Sequence, residues 1–193
     1  MSLLMDQTHI RKVPDVRTVW TIGHSTRPLD QFLSLLATHG IEAIADVRSL
    51  PGSRKYPQYG KDALAATLHD QGIAYQWFPV LGGRRRTTAN SPNTAWRNAS
   101  FRGYADYMST AEFASGIRAL LDLAGGSRTA MMCAEAVWWR CHRSMIADAL
   151  CVQGVTVMHI MDEKNGVLHP MTSPARIEGG RLTYSLLVQG SRT

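Results

Sequence analysis

The chain has 193 residues, of which 45% are hydrophobic and 19% are charged, so it can bury a core and does not have the composition of a disordered protein. It carries a net charge of +6 and contains no apolar run near the ~18 residues that a membrane span needs, so no membrane contact is predicted. The first residues lack the pattern of a signal peptide, and we expect a cytoplasmic protein. Three cysteines, an odd number, indicate free thiols or metal ligands rather than disulfides.

The first half of the chain alternates between the patterns of strands and helices. Short apolar runs predict three strands, at residues 19–22, 41–47 and 73–78. Apolar residues at helical spacing predict one helix between each pair of these strands. The first helix ends at Gly40 and the second near Gly72, since glycine is the usual residue after a helix.

The second half continues this alternation. Ser109 and Glu112 fit a capping box, which predicts the start of a helix that ends at Gly126. The fourth strand, a further helix and the fifth strand fall at residues 129–133, 141–153 and 155–160. The turn pair Gly179-Gly180, with apolar residues on both sides, predicts a hairpin near the C-terminus.

Strands that are apolar throughout and alternate with helices predict an α/β fold. We expect a single domain with a mainly parallel five-stranded sheet, helices on both faces and a C-terminal hairpin. The domain covers residues 19–162, after an N-terminal extension over 1–18 and before a tail over 163–193. Ligands of such sheets bind beyond the carboxyl ends of the strands, so the polar residues that follow the strands are the candidates for a site.

Positive charge is concentrated in two stretches without acids, residues 47–61 and 71–105, which hold 9 of the 21 basic residues and are predicted as loops. Such stretches favour an anionic partner, either a small phosphate-like molecule or a nucleic acid, although they also suit a solvated surface. A nucleic acid would be bound by arginines of the second stretch and by an aromatic ring that stacks on bases. These residues are Arg84, Arg85, Arg86, Arg97 and Trp96.

Six short motifs occur in order between residues 19 and 160, most of them at predicted strand ends. They are Thr21-Ile22-Gly23-His24-Ser25, Asp46-Val47-Arg48 with Pro51 and Ser53-Arg54, Leu81-Gly82-Gly83, Met132-Cys133-Ala134-Glu135, Cys141-His142-Arg143 and His159-Ile160. In this order they resemble the domain-of-unknown-function family 488. The resemblance implies a shared fold and a shared site, but it implies no reaction.

The chemistry of these residues predicts a reactive site. Cys141 comes near the start of a predicted helix, where positive potential lowers the pKa of a thiol, and it is a candidate nucleophile with His142 or His24 as its base. Cys133 is a second candidate nucleophile. Glu135 and Asp46 are candidate acid–base residues, or equally members of ion pairs that hold the site's shape. The predicted substrate- and anion-binding residues are Arg48, Ser53, Arg54, Gly82, Gly83 and Arg143.

A cysteine between a strand and a helix also resembles cysteine-dependent phosphatases and sulfurtransferases, but the spacing to the next arginine and the tryptophans of the loop differ from theirs. A metal is an alternative, because thiolates and imidazoles suit Zn²⁺. Its candidate ligands are Cys133, Cys141, His142 and His24. Two adjacent residues on a helix point about 100° apart, which argues against this alternative, and no cofactor is predicted.

Two functions follow from these patterns. The first is an enzyme, a cysteine-dependent hydrolase or transferase that acts on a phosphate- or nucleotide-like substrate. The alternative is a nucleic-acid-binding protein, linked to repair or modification, that uses residues 84–102. A scaffold without activity would show neither property. The sequence contains no glycine-rich dinucleotide fingerprint and no phosphate-binding loop motif, so NAD and ATP are not supported.

Overall fold

The computed structural model of the protein describes residues 18–52 and 54–186. Nearly all of the predicted N-terminal extension and the last residues of the predicted tail lie outside these ranges. The strands of the main sheet are β1 (Thr18–Gly23), β2 (Ala43–Asp46), β3 (Ala74–Trp77), β4 (Thr129–Cys133), β5 (Thr156–Ile160) and β6 (Val167–Leu168). The helices are α1 (Leu29–Thr38), α2 (Lys61–Asp70), α3 (Ala99–Tyr107), α4 (Ala111–Gly126) and α5 (Arg143–Val152).

The main sheet has the order β3-β2-β4-β1-β5-β6, and its first five strands are parallel. The predicted α/β fold is therefore confirmed, with one addition. β6 is a sixth strand of two exposed residues that pairs antiparallel with β5, and it is too short to give a pattern in the sequence. The predicted hairpin is confirmed as β7 (Arg176–Glu178) and β8 (Arg181–Thr183). Both turn glycines, Gly179 and Gly180, have the positive φ that such a turn needs.

Each face of the sheet has its own hydrophobic core, because successive strand residues point to opposite faces. Val19 of β1 packs in a cluster with Phe113 of α4 and Met145 of α5. The next residue, Trp20, packs in a second cluster with Phe32 of α1, and that cluster also contains residues of α2. Helices cover both faces of the sheet, so a site is expected beyond the ends of its strands.

The predicted start of α4 is wrong by one residue. Its N-cap is Thr110, whose hydroxyl oxygen accepts a hydrogen bond from the backbone N–H of Phe113 at 3.2 Å. The Ser109 hydroxyl donates instead to the carbonyl oxygen of Asp106. Only the residue whose side chain reaches the free N–H groups of the first turn acts as the cap.

Two further differences lie near the predicted site. The second basic stretch contains α3, which is capped by Asn98, so this stretch is not a continuous loop. The last helix, α5, begins at Arg143, and Cys141 and His142 precede it. Cys141 has extended backbone angles, with φ −131° and ψ 146°. No helix among residues 18–52 and 54–186 has the length and apolar composition to cross a bilayer.

Candidate functional site

The segments that follow β1, β2 and β4 run side by side at the carboxyl edge of the sheet. The backbone N–H of His24 donates to the carbonyl oxygen of Cys133 at 3.0 Å, and that of Val47 donates to Met132 at 3.0 Å. Gly23 is required for this approach, because a Cβ atom there would overlap the carbonyl oxygen of Glu135. The central strands thus bring their terminal polar residues to one edge, as expected for a parallel sheet.

Two thiols and one imidazole meet at this edge. Cys133 ends β4, while Cys141 and His142 precede α5, and the ligand atoms of the three residues lie within 4.8 Å of one another. The Nδ1 atom of His142 is 3.5 Å from the sulfur of Cys141 and 4.0 Å from that of Cys133. We call these three residues the thiol–imidazole cluster.

The orientation of His142 is fixed by its other nitrogen. Its Nε2–H donates to the carbonyl oxygen of Val47 at 3.0 Å, which assigns the proton of a neutral ring to Nε2. The lone pair of Nδ1 therefore faces both sulfurs. Gly83 lies against the same ring, since a Cβ atom there would be 2.5 Å from Nδ1. A side chain at this position would push the imidazole out of the cluster.

The two thiols differ in acidity. A hydrogen bond from Cys141 lowers the pKa of Cys133 well below its ordinary value despite burial, and the charge of Arg143 lowers it further. Burial, together with the neighbouring Cys133, raises the pKa of Cys141. The backbone N–H of Arg143 also donates to the sulfur of Cys141 at 3.5 Å. The cluster therefore favours a thiolate at Cys133 beside a protonated Cys141.

A cavity of about 330 Å³ opens next to the cluster, which is within the size range of small-molecule sites. All three cluster residues line it, together with the exposed side chains of Arg84, Arg140 and Glu135. A larger cleft of about 810 Å³ lies between α4, α5 and the β7–β8 hairpin, but none of the predicted site residues lines it.

Asp46 and Arg48 form a closed ion pair beside the cluster. Asp46 is fully buried and accepts hydrogen bonds from Nη2 of Arg48 at 2.6 Å, from its Nε at 2.8 Å and from the Tyr75 hydroxyl at 2.6 Å. Arg48 Nη1 donates to the carbonyl oxygen of Tyr59 at 2.8 Å. Of the two roles expected for Asp46, this geometry favours the ion pair that holds the site's shape.

His24 belongs to the same network. Its Nδ1–H donates to the carbonyl oxygen of Ser25 at 3.0 Å, and its Nε2 is 3.3 Å from Nη1 of Arg48, from which it accepts. The ring also stacks on Tyr59, with 4.1 Å between the ring centres. Burial and the Arg48 charge lower the pKa of His24 to about 4. Both nitrogens are thus engaged outside the thiol–imidazole cluster.

Arg143, another predicted anion ligand, is buried and holds the backbone together. Its Nη1 donates to the carbonyl oxygens of Ile22 at 3.1 Å and Glu135 at 2.9 Å. This arginine therefore ties β1 to the loop after β4. The side chain of Glu135 is exposed at the cavity.

The remaining predicted anion ligands lie in different surroundings. Ser53 lies outside the described residues, and the side chain of Arg54 is exposed. Gly82 and Gly83 allow close packing, because a Cβ atom at Gly82 would lie 2.5 Å from the hydroxyl oxygen of Ser49. These two glycines bring the second basic stretch against the cluster.

The predicted nucleic-acid residues divide into two groups. Arg84, Arg86 and Arg97 have exposed side chains. Arg85 lies over the ring of Tyr107, 3.7 Å from its centre, and donates to the carbonyl oxygen of Val80 at 2.9 Å. Trp96 stacks on Phe101, with 4.7 Å between the ring centres, and is half-buried. Three of the five residues thus face solvent.

A second buried polar network has no counterpart in the predicted site. Asp148 of α5 accepts hydrogen bonds from His169 Nε2 at 2.9 Å, from both Thr172 donors and from the Tyr184 hydroxyl at 2.8 Å. His169 Nδ1 is 2.9 Å from His159 Nε2. A fully buried acid in the middle of the apolar α5 is the sequence signal that points to this network.

Comparison with known proteins gives one match. A family model described as Domain of unknown function DUF488 matches residues 28–150, which include the thiol–imidazole cluster and the Asp46–Arg48 pair. No curated protein and no solved structure matches the chain.

Proposed function

The chain belongs to the DUF488 family, and we propose that it is an enzyme that hydrolyses or transfers a phosphate-like group at the thiol–imidazole cluster. The family description names no reaction, so the proposal is based on the residues of this chain. The observation that carries it is the convergence of two sulfurs and an imidazole nitrogen beside a cavity with exposed arginines. Reactive side chains that converge beside a cavity are candidates for a functional site.

The substrate's negative charge would be bound by Arg84 and Arg140. Both line the cavity with exposed side chains, and a guanidinium group binds phosphate through two parallel hydrogen bonds. Arg48 and Arg143 instead use their donors on Asp46 and on backbone carbonyls. The polar side chains that also line the cavity are Ser49, Asn98 and Ser100.

The cluster is suited to two kinds of chemistry. A Cys133 thiolate can attack the phosphorus atom directly, with expulsion of the leaving group and later attack on the covalent intermediate by water or an acceptor. Alternatively, a soft divalent metal such as Zn²⁺ bound by the same atoms can activate water. Both kinds need Cys133, Cys141 and His142, so one set of variants tests the proposal.

Thiol alkylation tests whether the cluster is reactive and faces an anion site. After chelator treatment, iodoacetamide should modify Cys133 faster than Cys151 at neutral pH, because burial and Asp148 raise the pKa of Cys151. Inorganic phosphate in the cavity should slow the modification of Cys133 and leave the rate at Cys151 unchanged. Equal rates at the two cysteines, or a rate at Cys133 that phosphate does not change, would overturn the proposal.

Activity supplies the second test. In a screen of phosphate esters, C133S and H142Q should abolish any hydrolysis that the wild-type chain shows. C151S is the matched control, since Cys151 lies in α5 and outside the cluster. Full activity in C133S would contradict a role of the cluster in the reaction.

Nucleic-acid binding is a second candidate function, favoured by the exposed side chains of Arg84, Arg86 and Arg97 in a stretch without acids. Each phosphate contact lowers the slope of log K against log salt by about 0.7 for a single strand. Replacement of all three arginines by glutamine should therefore make that slope less negative by about two. An oligonucleotide affinity with the same salt slope in the triple variant would reject this function.

A further inference from the structure

We infer that Cys133, Cys141 and His142 bind one Zn²⁺ ion and leave its fourth coordination position open to the cavity. This inference rests on the proposed function, because it assigns the chemistry of the same cluster. It would make the protein a metal-dependent hydrolase of phosphate esters rather than a thiol enzyme.

The distances in the cluster fit a tetrahedral zinc site. Zn–S bonds of about 2.3 Å and Zn–N bonds of about 2.0–2.1 Å, at tetrahedral angles, place a sulfur and a nitrogen ligand about 3.6 Å apart. The observed distances from His142 Nδ1 are 3.5 Å to Cys141 and 4.0 Å to Cys133. Both nitrogen–sulfur distances therefore lie within about 0.4 Å of the value for a shared zinc ion.

The sequence-based objection to a metal does not apply to this backbone. Adjacent residues diverge by about 100° only on a helix. Cys141 is extended, and His142 is the residue before the first turn of α5. The change from extended to helical backbone at this point turns both side chains toward Cys133.

The hydrogen bonds of His142 also match those of a metal ligand. A histidine that binds a metal through one nitrogen usually donates its other N–H to a carboxylate or a backbone carbonyl, which fixes the ring. Here Nε2–H donates to the carbonyl oxygen of Val47, so Nδ1 is left as the ligand. The backbone N–H of Arg143 donates to the sulfur of Cys141, a contact that would stabilise a metal-bound thiolate.

Charge balance supports the same assignment. Cys133 and Cys141 are 7% and 3% exposed, and two buried thiolates without a counterion would be costly. Zn²⁺ with two thiolates and a neutral imidazole has no net charge. Such a neutral set of ligands and metal is suited to a buried position.

The fourth ligand is left to solvent or substrate. His24 is unsuited, because its Nε2 accepts from Arg48, and Glu135 is not part of the group of close ligand atoms found in the described ranges. Three protein ligands and one open position are typical of catalytic zinc sites, whereas structural sites have four protein ligands. The open position would face the cavity that Arg84 and Arg140 line.

The reaction then proceeds through bound water. Zinc lowers the pKa of its water to about 7, so the water releases a proton to solvent and becomes hydroxide. The hydroxide oxygen forms a bond to the phosphorus atom of the ester, and the bond from phosphorus to the leaving oxygen breaks. The leaving oxygen takes a proton from solvent, so one water is consumed and no oxidant or reductant is needed.

Metal binding itself gives the first test. The wild-type chain should bind one Zn²⁺ in competition with a chromophoric chelator, and Co²⁺ in its place should show thiolate-to-cobalt charge transfer and tetrahedral bands. C133S, C141S and H142Q should each weaken Zn²⁺ binding by more than 100-fold, beyond the 10- to 100-fold typical of outer-shell changes. C151S should bind as the wild type does.

A glycine substitution tests the site with all three ligands intact. In G83A, the new Cβ would lie 2.5 Å from His142 Nδ1 and displace the ring, so Zn²⁺ affinity should fall by about 10- to 100-fold. G126A is the matched control, because a Cβ at Gly126 has no described neighbour within 4 Å and should leave the affinity unchanged. This pair is informative even if a cysteine variant folds poorly.

The outcomes separate this inference from the proposed function. Absence of stoichiometric Zn²⁺ binding by the wild-type chain, together with phosphate-protected alkylation of Cys133, overturns the metal and leaves a thiol enzyme. Zn²⁺ binding that C151S weakens as much as C133S overturns the site. Tight Zn²⁺ binding without any effect of phosphate on the chain supports the metal and overturns the proposed substrate.

Discussion

The thiol–imidazole cluster and the Asp148–His169–His159 network both bury titratable side chains, but they differ in which atoms remain free. In the network, the Thr21 hydroxyl donates to His159 Nδ1, and His159 Nε2–H donates to His169 Nδ1. His169 Nε2–H then donates to Asp148. Each histidine nitrogen thus has a partner, and Trp138 stacks on the His159 ring at 4.3 Å.

The cluster has no such closure. His142 Nδ1 faces two sulfurs, and the cavity lies beside all three residues. A closed network stabilises the fold, whereas a nitrogen that contacts only weakly hydrogen-bonding sulfurs beside a cavity can bind a ligand instead. Proximity of reactive residues is therefore a weaker sign of function than an unused hydrogen-bonding or coordinating atom.

The largest effect on stability is expected at the Asp46–Arg48 pair, which we assign to the closed type. D46N removes the negative charge and leaves the buried Arg48 guanidinium without its counterion, so the free energy of unfolding should fall by about 3–5 kcal/mol. Urea denaturation measures this change. D122N, at an exposed position of α4, is the control and should stay within about 0.5 kcal/mol of wild type. A D46N variant as stable as D122N would contradict the ion-pair role and favour Asp46 as an acid–base residue.

The buried histidines of the closed networks predict a loss of stability in acid. The pKa of His24 is lowered to about 4 and that of His159 to about 3, so both stay neutral in the folded chain at pH values where an unfolded histidine takes up a proton. The stability that the neutral histidines provide is complete above pH ~6.5, and it is lost as the pH falls toward 4 because the unfolded chain then binds more protons. Each should lower the free energy of unfolding by up to ~1.4 kcal/mol per pH unit in this window.

This pH dependence can be assigned by substitution. H24Q should remove the contribution of one histidine from the slope between pH 6.5 and 4.5, as measured by urea denaturation at several pH values. H69Q, at an exposed position of α2, should keep the wild-type slope. Identical slopes in H24Q and wild type would show that His24 is not held neutral by its burial and the Arg48 charge.

A smaller effect is expected at Asp148. In D148N the new amide would face hydroxyl donors of Thr172 and Tyr184, but hydroxyl groups can rotate to accept, unlike the guanidinium of Arg48. We expect a loss of about 1–3 kcal/mol and no change in Zn²⁺ affinity. A D148N variant that loses metal binding while folded would show that the two regions are coupled.

The position of the thiol–imidazole cluster can be predicted from the sequence, because the carboxyl ends of parallel strands lie at the same edge of the sheet. The predicted strand 129–133 matches β4, so Cys133 falls at the edge, and the following loop returns Cys141 and His142 to it. The pattern does not show that His142 donates to Val47, since this contact joins residues 95 positions apart. That hydrogen bond decides which nitrogen faces the two sulfurs.

Other features depend on contacts that have no periodicity. α3 lies in a stretch that is basic and rich in small polar residues, and its position is fixed by the Tyr104 hydroxyl, which donates to the carbonyl oxygen of Leu81. The partners Asp148 and His169 are 21 positions apart and meet only because β6 pairs with β5 and returns the chain over α5. The preference of individual residues for helix or strand does not indicate where the chain packs against an earlier element.

The smallest effects are expected at Arg84 and Arg85, which carry the same charge but lie in different surroundings. Arg85 packs over the Tyr107 ring at 3.7 Å, so R85Q should lower the free energy of unfolding by about 0.5–2 kcal/mol and leave phosphate binding unchanged. Arg84 is exposed at the cavity, so R84Q should change stability by less than about 0.5 kcal/mol. Its phosphate dissociation constant, measured by calorimetry, should rise about two- to fivefold, the range of an exposed charge pair. Because both variants lose one positive charge, a similar rise in R85Q would mean that overall charge, and not the cavity, attracts the anion.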